Sequence, residues 1–209
     1  MAIFTSAVFT RVRKSFGNVT TCMNRGMNVL KTKVTFVNNP NTSGQRKQRL
    51  RMGKLVELSV VFASAAKLGF PRRQKGETLY NAFVRKNKDV VEVNDSLEVT
   101  VNYERLACSD GTLQVPEMSV EKKADVRELT FTHSVVEYEV DALPDDVIYA
   151  VVYEKIRNKA RVFQLDKVSE TQPFTITLPE NWDMDQIVIY AFTLSSNKHT
   201  ASQTVVVKA

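Results

Sequence analysis

Seven cations are the first candidates for chemistry in this chain. Arg46, Lys47, Arg49, Arg51 and Lys54 crowd into nine residues, and Arg72 and Arg73 follow further on. Side chains of this kind neutralise phosphates and give binding that falls steeply with salt. The same cluster also serves as a solvated face, or as a face docked on the acidic residues of a neighbouring copy. It has no interleaved aromatics, no recognition-helix signature and no RNA-binding consensus, so a solvated or protein-docked face is the favoured reading and nucleic acid the alternative. Catalytic candidates are weaker. His133 and His199 lack the Cys/His/Asp spacing of a metal site, and Cys22 and Cys108 lie far apart and match no metal or redox pattern. Asp145-Asp146 and Asp183/Asp185 read as turn residues rather than as an acid/base pair. Neither a Gly-x-Ser-x-Gly elbow nor a phosphate-binding glycine loop occurs. The expectation is no catalytic site, no metal and no cofactor.

The elements that must position these residues fall into two styles. Phe16–Met23 and Met27–Phe36 read as strands around a tight turn at Asn24-Arg25-Gly26. After the polar breaker Asn38–Ser43, a helix is predicted over 44–68, capped by Thr42 or Ser43, with Leu55, Leu58, Phe62 and Ala65 as its apolar stripe. Gly69 and Pro71 end it. A second helix over Glu77–Lys88 would turn Leu79, Tyr80, Phe83 and Val84 inward. Beyond Asp89 the period becomes two. Strands are expected at Leu97–Tyr103, Glu128–His133, Val135–Val140, Val147–Tyr153, Arg161–Leu165, Phe174–Leu178, Ile187–Leu194 and Thr204–Val207. Asp145-Asp146 and Ser195-Ser196-Asn197 supply turns, and Trp182 a packing residue at a corner. The fold class implied is α+β: an N-terminal β-hairpin and helical pair, then an immunoglobulin-like antiparallel β-sandwich.

Charge divides the chain in the same place. Residues 1–88 hold 18 Lys+Arg against two acids, and residues 89–209 hold 11 against 21, within a net +6. A basic region 1–88 and an acidic sandwich 89–209 are therefore the expected domains, each complementary to the other in a second copy. The N-terminal Ile3-Phe4 and Val8-Phe9, followed by Arg11, Arg13 and Lys14, form either a strand that joins the core or an arm that docks on another subunit. An apolar stretch placed before its cations reverses the order of a secretory signal, and no run approaches the roughly 20 apolar residues of a membrane span. Neither export nor membrane contact is expected.

Several motifs resemble one family in their order. They are Phe16-Gly-Asn-Val, Asn41-Thr-Ser-Gly-Gln-Arg-Lys-Gln-Arg-Leu-Arg-Met, Gly69-Phe and Tyr80-Asn-Ala-Phe-Val, then Asp146-Val-Ile-Tyr-Ala-Val-Val-Tyr, Thr175-Ile-Thr-Leu-Pro-Glu-Asn-Trp and Ile189-Tyr-Ala-Phe. Together they resemble an uncharacterised domain-of-unknown-function family common in Bacteroidota and their phages, over roughly residues 16–207. The resemblance implies a soluble, non-enzymatic protein with an N-terminal helical part and a C-terminal β-sandwich. The helix start is also similar to that of small phage structural proteins. The chain departs from the family in its apolar-then-cationic opening and in its Val205-Val-Val-Lys-Ala ending. The expected function is a structural or assembly protein of a phage virion, in a ring, collar, tail or capsid layer. Its partners would be further copies of itself and other virion proteins, with nucleic acid as the alternative partner. Its place would be the virion or the host cytoplasm.

Overall fold

The computed structural model describes residues 2–6, 12–123, 125–134, 143–170 and 172–208. The chain forms two compact units, residues 1–42 and 43–209.

The first unit is a single antiparallel sheet of β1 (Ala2–Phe4), β2 (Lys14–Phe16), β3 (Val19–Asn24) and β4 (Met27–Thr32), in the order β1-β4-β3-β2. The expected hairpin is present. Asn24 pairs with Met27, and the turn residues Arg25 and Gly26 sit at φ 50° and 80°, as a two-residue turn with both centres left-handed requires. A second tight turn at Gly17-Asn18, not anticipated from sequence, joins β2 to β3. Ile3 and Phe4 lie in edge strand β1, whereas Val8, Phe9 and Arg11 fall outside the described residues. Among the described residues of this unit only Asn28 and Val29 are buried.

The second unit is layered. Helices α1 (Ser43–Val61), α2 (Ala63–Gly69) and α3 (Leu79–Lys86) cover one face of a four-stranded antiparallel sheet. That sheet has the order β10 (Lys159–Lys167), β9 (Val147–Glu154), β12 (Ile187–Leu194), β13 (Val205–Val207). On its other face lies a three-stranded sheet, β11 (Phe174–Thr177), β8 (Glu128–His133), β7 (Met118–Lys123). A small hairpin, β5 (Val91–Val93) with β6 (Val99–Val101), completes the unit. Strand alternation sorts the two cores. Tyr149, Val151 and Tyr153 of β9, with Tyr190 and Phe192 of β12, face Leu55, Leu58, Phe62 and Phe83 of the helices. Ile148, Ala150 and Val152, with Ile187, Ile189 and Ala191, face Val120, Leu129, Phe131 and Ile176 of the second sheet. Covered on both faces, β9 is buried along nearly its whole length, which is why its sequence is an almost unbroken apolar run.

The sandwich is thus the one expected, with a helical layer added to it. The boundary between compact units falls at Thr42/Ser43, not at residue 88. Charge marked residue 88 because the helical layer is basic and the sheets acidic, yet the helices and β9–β12 share one hydrophobic core.

Other departures are local. The long helix is broken at Phe62, whose ring fills the space between Phe83, Tyr153 and Tyr190 at centroid distances of 6.1, 5.0 and 5.8 Å. Ser59 also donates a hydrogen bond to the Val56 carbonyl at 2.7 Å, a competing contact that bends helices. Gly69 ends α2 for another reason than left-handed geometry, because a Cβ there would lie 2.2 Å from the Cys108 carbonyl oxygen. Helix α3 starts at Leu79, capped by Thr78, and buries Ala82 and Phe83, which leaves Tyr80 49% exposed rather than inward. Leu97 takes φ 64° in the turn before β6, so that strand is shorter than its alternation suggests. The strand expected at Val135–Val140 lies outside the described residues.

Candidate interaction surfaces

Helix α1 forms because good helix formers dominate residues 45–58, and it docks through Leu55 and Leu58. That docking aims Lys47 and Arg51 back at the β5–β6 hairpin. Lys47 Nζ reaches Asp95 Oδ1 of the β5–β6 turn at 2.5 Å and holds that carboxyl below the usual carboxylate range, chiefly by hydrogen bonding. Arg51 Nε donates to the Val91 carbonyl at 2.8 Å, and Lys54 pairs with Glu57 at 2.9 Å. Gly44, Lys47, Gln48 and Arg51 line a shallow groove of about 390 Å³ together with Glu92 and Val93. Arg46 and Arg49 are exposed. Arg72 and Arg73 lie exposed in the segment after α2, where Arg73 Nη1 donates to the Phe70 carbonyl at 3.2 Å. The seven cations therefore do not converge on one site.

The fold also redistributes the charge. Residues 1–42 carry six Lys+Arg and no acid, so their formal charge is +6. Residues 43–209 carry the other 23 Lys+Arg and all 23 Asp+Glu, so the layered unit is formally neutral. Cations of the helical layer pair with its own Glu57 and Glu77 and with Asp95 and Asp110 in a turn and a loop of the same unit, and the net charge of the protein belongs to residues 1–42. Its described cations Arg13, Lys14, Arg25, Lys31 and Lys33 are all exposed, and none forms an ion pair among the described residues.

The carboxylates do turn work, as expected. Asp183 Oδ1 accepts from the Asp185 amide at 2.9 Å. Asp145 pairs with Lys167 at 3.1 Å, while buried Asp146 accepts the Leu143 amide at 3.0 Å. His133 turns Nδ1 towards the Ser134 carbonyl at 3.2 Å, and His199 lies in the exposed loop after β12. Both cysteines are free thiols, and burial pushes the Cys108 thiol pKa strongly up. Among the described residues no three metal-capable side chains come together. No helix is long and apolar enough to cross a membrane. Trp182 packs into the sandwich core at its corner.

Two surfaces escaped the sequence reading. Met52, Val56 and Val60, spaced by four on α1, are 39%, 51% and 59% exposed. Beside Met52, Gly53 has nothing within 4 Å of where a Cβ would stand. The spacing was legible, but the buried stripe through Leu55 and Leu58 took precedence. The second surface is a groove of about 810 Å³ beside edge strand β13, floored by Val188, Val206 and Tyr103 and flanked by Lys122, Lys155 and Lys208 together with Glu92 and Glu104.

One family model, described as a family of unknown function (DUF6266), matches residues 11–207. No curated protein and no solved structure matches.

Proposed function

The chain belongs to this family of unknown function, and we propose that it is a non-enzymatic assembly protein that works through protein–protein contacts. The setting the motif resemblance implies is a phage virion, in a ring, collar, tail or capsid layer. The observation that carries the reading is the second apolar stripe of α1. An apolar stripe left exposed next to a buried one on the same helix invites a second cover. Here Leu55 and Leu58 are covered by the body of the unit, whereas Met52, Val56 and Val60 face outward. Gly53 beside them supports the same reading. In a helix interior glycine costs about 1 kcal/mol relative to alanine, and what it offers in return is close approach by another backbone. Arg46, exposed on the same helix, would meet acidic residues of the partner and set orientation more than affinity.

The test is light scattering on the purified chain over a concentration series, with mass spectrometry of purified virions for its presence. Association is expected, and a Val56→Glu/Val60→Glu double variant is expected to abolish it while its unfolding midpoint stays unchanged, since both residues are exposed. Gly53→Ala should raise the stability of the isolated chain by about 1 kcal/mol and weaken the association. A chain that stays monomeric at every concentration and is missing from virions refutes the proposal.

A further inference from the structure

The N-terminal sheet has a surface that the assembly reading does not use. Its 42 residues contain no acid, and its five described cations are exposed without ion pairs. The layered unit is formally neutral, so the net attraction of the protein for a negatively charged body comes from residues 1–42. Aromatic rings stand among the cations. Phe16 is 85% exposed at the end of β2, on the same sheet face as Lys14 and two residues away from it. Phe36 is 83% exposed in the segment that follows Lys31 and Lys33. By strand register Phe4, Phe16, Val19, Met23 and Leu30 share one face, and the partner strands add Thr21 and Thr32. That face carries Lys14 beside the rings; Lys31, paired with Thr20, lies on the reverse face, Arg25 sits in the β3–β4 turn, and Arg13 and Lys33 flank the strand ends, so the cations rim the small sheet on both sides with no carboxylate among them. The cluster on α1 has cations without rings and spends Lys47, Arg51 and Lys54 on its own chain.

We infer that the N-terminal sheet is a binding surface for single-stranded nucleic acid, with Arg13, Lys14, Arg25, Lys31 and Lys33 tracking phosphates and Phe16 and Phe36 stacking on bases. Cation contact supplies the sequence-independent part of such binding, and each phosphate neutralised on a single strand adds about −0.7 to the slope of log affinity against log salt. Five contacts give a slope of about −3.5, so raising salt from 50 to 200 mM weakens binding roughly 100-fold. Stacking is nearly salt-independent, and losing one ring weakens binding by about 5- to 100-fold. Rings stack on unpaired bases, so single strands bind better than duplexes. The surface lies on a different unit from the α1 stripe, so either proposal fails without the other.

The experiment is fluorescence anisotropy of a labelled 20-nucleotide oligo-dT with the full chain, across a salt series. Expected are a slope near −3.5 and weaker binding to a duplex of the same length. Lys31→Gln/Lys33→Gln should make the slope shallower by about 1.4. Phe16→Ala and Phe36→Ala should lower affinity at unchanged slope. Arg46→Gln/Arg72→Gln should change neither. Four results overturn the inference: no binding at 50 mM salt, equal affinity for duplex, loss of the slope in the Arg46/Arg72 variant, or competition by poly-glutamate as effective as by oligo-dT. The last of these makes the surface a dock for an acidic protein. Thermal melts of each variant check folding, and since all the substituted side chains are exposed, their midpoints should match the parent.

Discussion

Asn87 offers the sharpest test of how the helical layer is tied to the sheets. It sits just past the end of α3 and is fully buried. Its Nδ2 donates to the Phe83 carbonyl at 3.0 Å and to the Ala107 carbonyl at 2.9 Å, and its Oδ1 accepts the Ala107 amide at 2.7 Å. Asn87→Asp keeps shape and volume but turns an oxygen towards two carbonyl oxygens. At neutral pH that leaves a buried carboxylate facing two acceptors, with only the Ala107 amide in compensation, at a cost of about 3–5 kcal/mol. Asn87→Ala leaves the half-buried Ala107 amide without its acceptor, at a cost of about 1–3 kcal/mol. The two variants separate on pH. The surroundings favour the neutral acid, so the folded-state pKa of the new aspartate lies above its unfolded value of about 3.9. Its stability is therefore greatest below that value and is lost as pH rises through the raised folded pKa. Once protonated, the side chain donates to one carbonyl and recovers one of the two lost bonds. Urea unfolding of parent, Asp and Ala variants at pH 7 and pH 4.5 reads this directly. The Asp deficit relative to parent should shrink by about 1–3 kcal/mol at the lower pH, while the Ala deficit stays constant. Equal deficits for the two variants at both pH values would refute the donor role of the Asn87 amide.

Two further outcomes follow from buried geometry. Gly69→Ala places a Cβ 2.2 Å from the Cys108 carbonyl oxygen and 2.7 Å from Ser109 Cβ, and because the first obstacle is backbone the change should cost at least about 1–3 kcal/mol in urea unfolding; a neutral result would mean that the 108–109 segment gives way freely. In the native chain a thiol reagent at pH 8 should titrate Cys22 alone, because Cys108 is fully buried with its pKa pushed up, and both thiols should react after denaturation; two fast thiols in the native protein would contradict the packing around Cys108.

The parts of this fold that were legible are those set by nearest neighbours in sequence. The 55–58–62–65 spacing gave the helix and its buried side, and the apolar run at 147–153 gave β9. Asn24-Arg25-Gly26 gave the hairpin, because few residues other than glycine take φ near 80°. Strands β5 and β7 were not legible. Each is short or carries charge on its exposed positions, as in Glu121, Lys122 and Lys123, so its alternation is faint. The layering was hidden for a different reason. It depends on Phe62 meeting Tyr153 and Tyr190, partners some 90 to 130 residues away, and on β9 showing one set of alternate residues to the helices and the other to the second sheet. Sequence-local periodicity contains neither fact. The basic cluster was legible as a cluster, but not as one whose Lys47 and Arg51 are bound to the β5–β6 hairpin, since Asp95 and Val91 become neighbours of α1 only when β5–β6 packs beside it.

The redistribution of charge alters what salt should do. If the whole region 1–88 were one basic body opposed to one acidic body, copies would attract head to tail and every contact would loosen with salt. In the fold, the basic helical layer and the acidic sheets share one hydrophobic core in one formally neutral unit, so their charges offset one another within it. Two unlike contacts remain. The α1 stripe is apolar, and screening removes only the steering supplied by Arg46. The N-terminal sheet is a concentration of cations, and screening removes most of its affinity. A salt series from 50 to 500 mM should therefore separate them: self-association or partner binding through α1 persists to the top of the range, while nucleic-acid binding is lost in its lower half. If both faded together, the attraction would be between whole charged halves of neighbouring copies, and the neutrality of the layered unit would have no functional consequence.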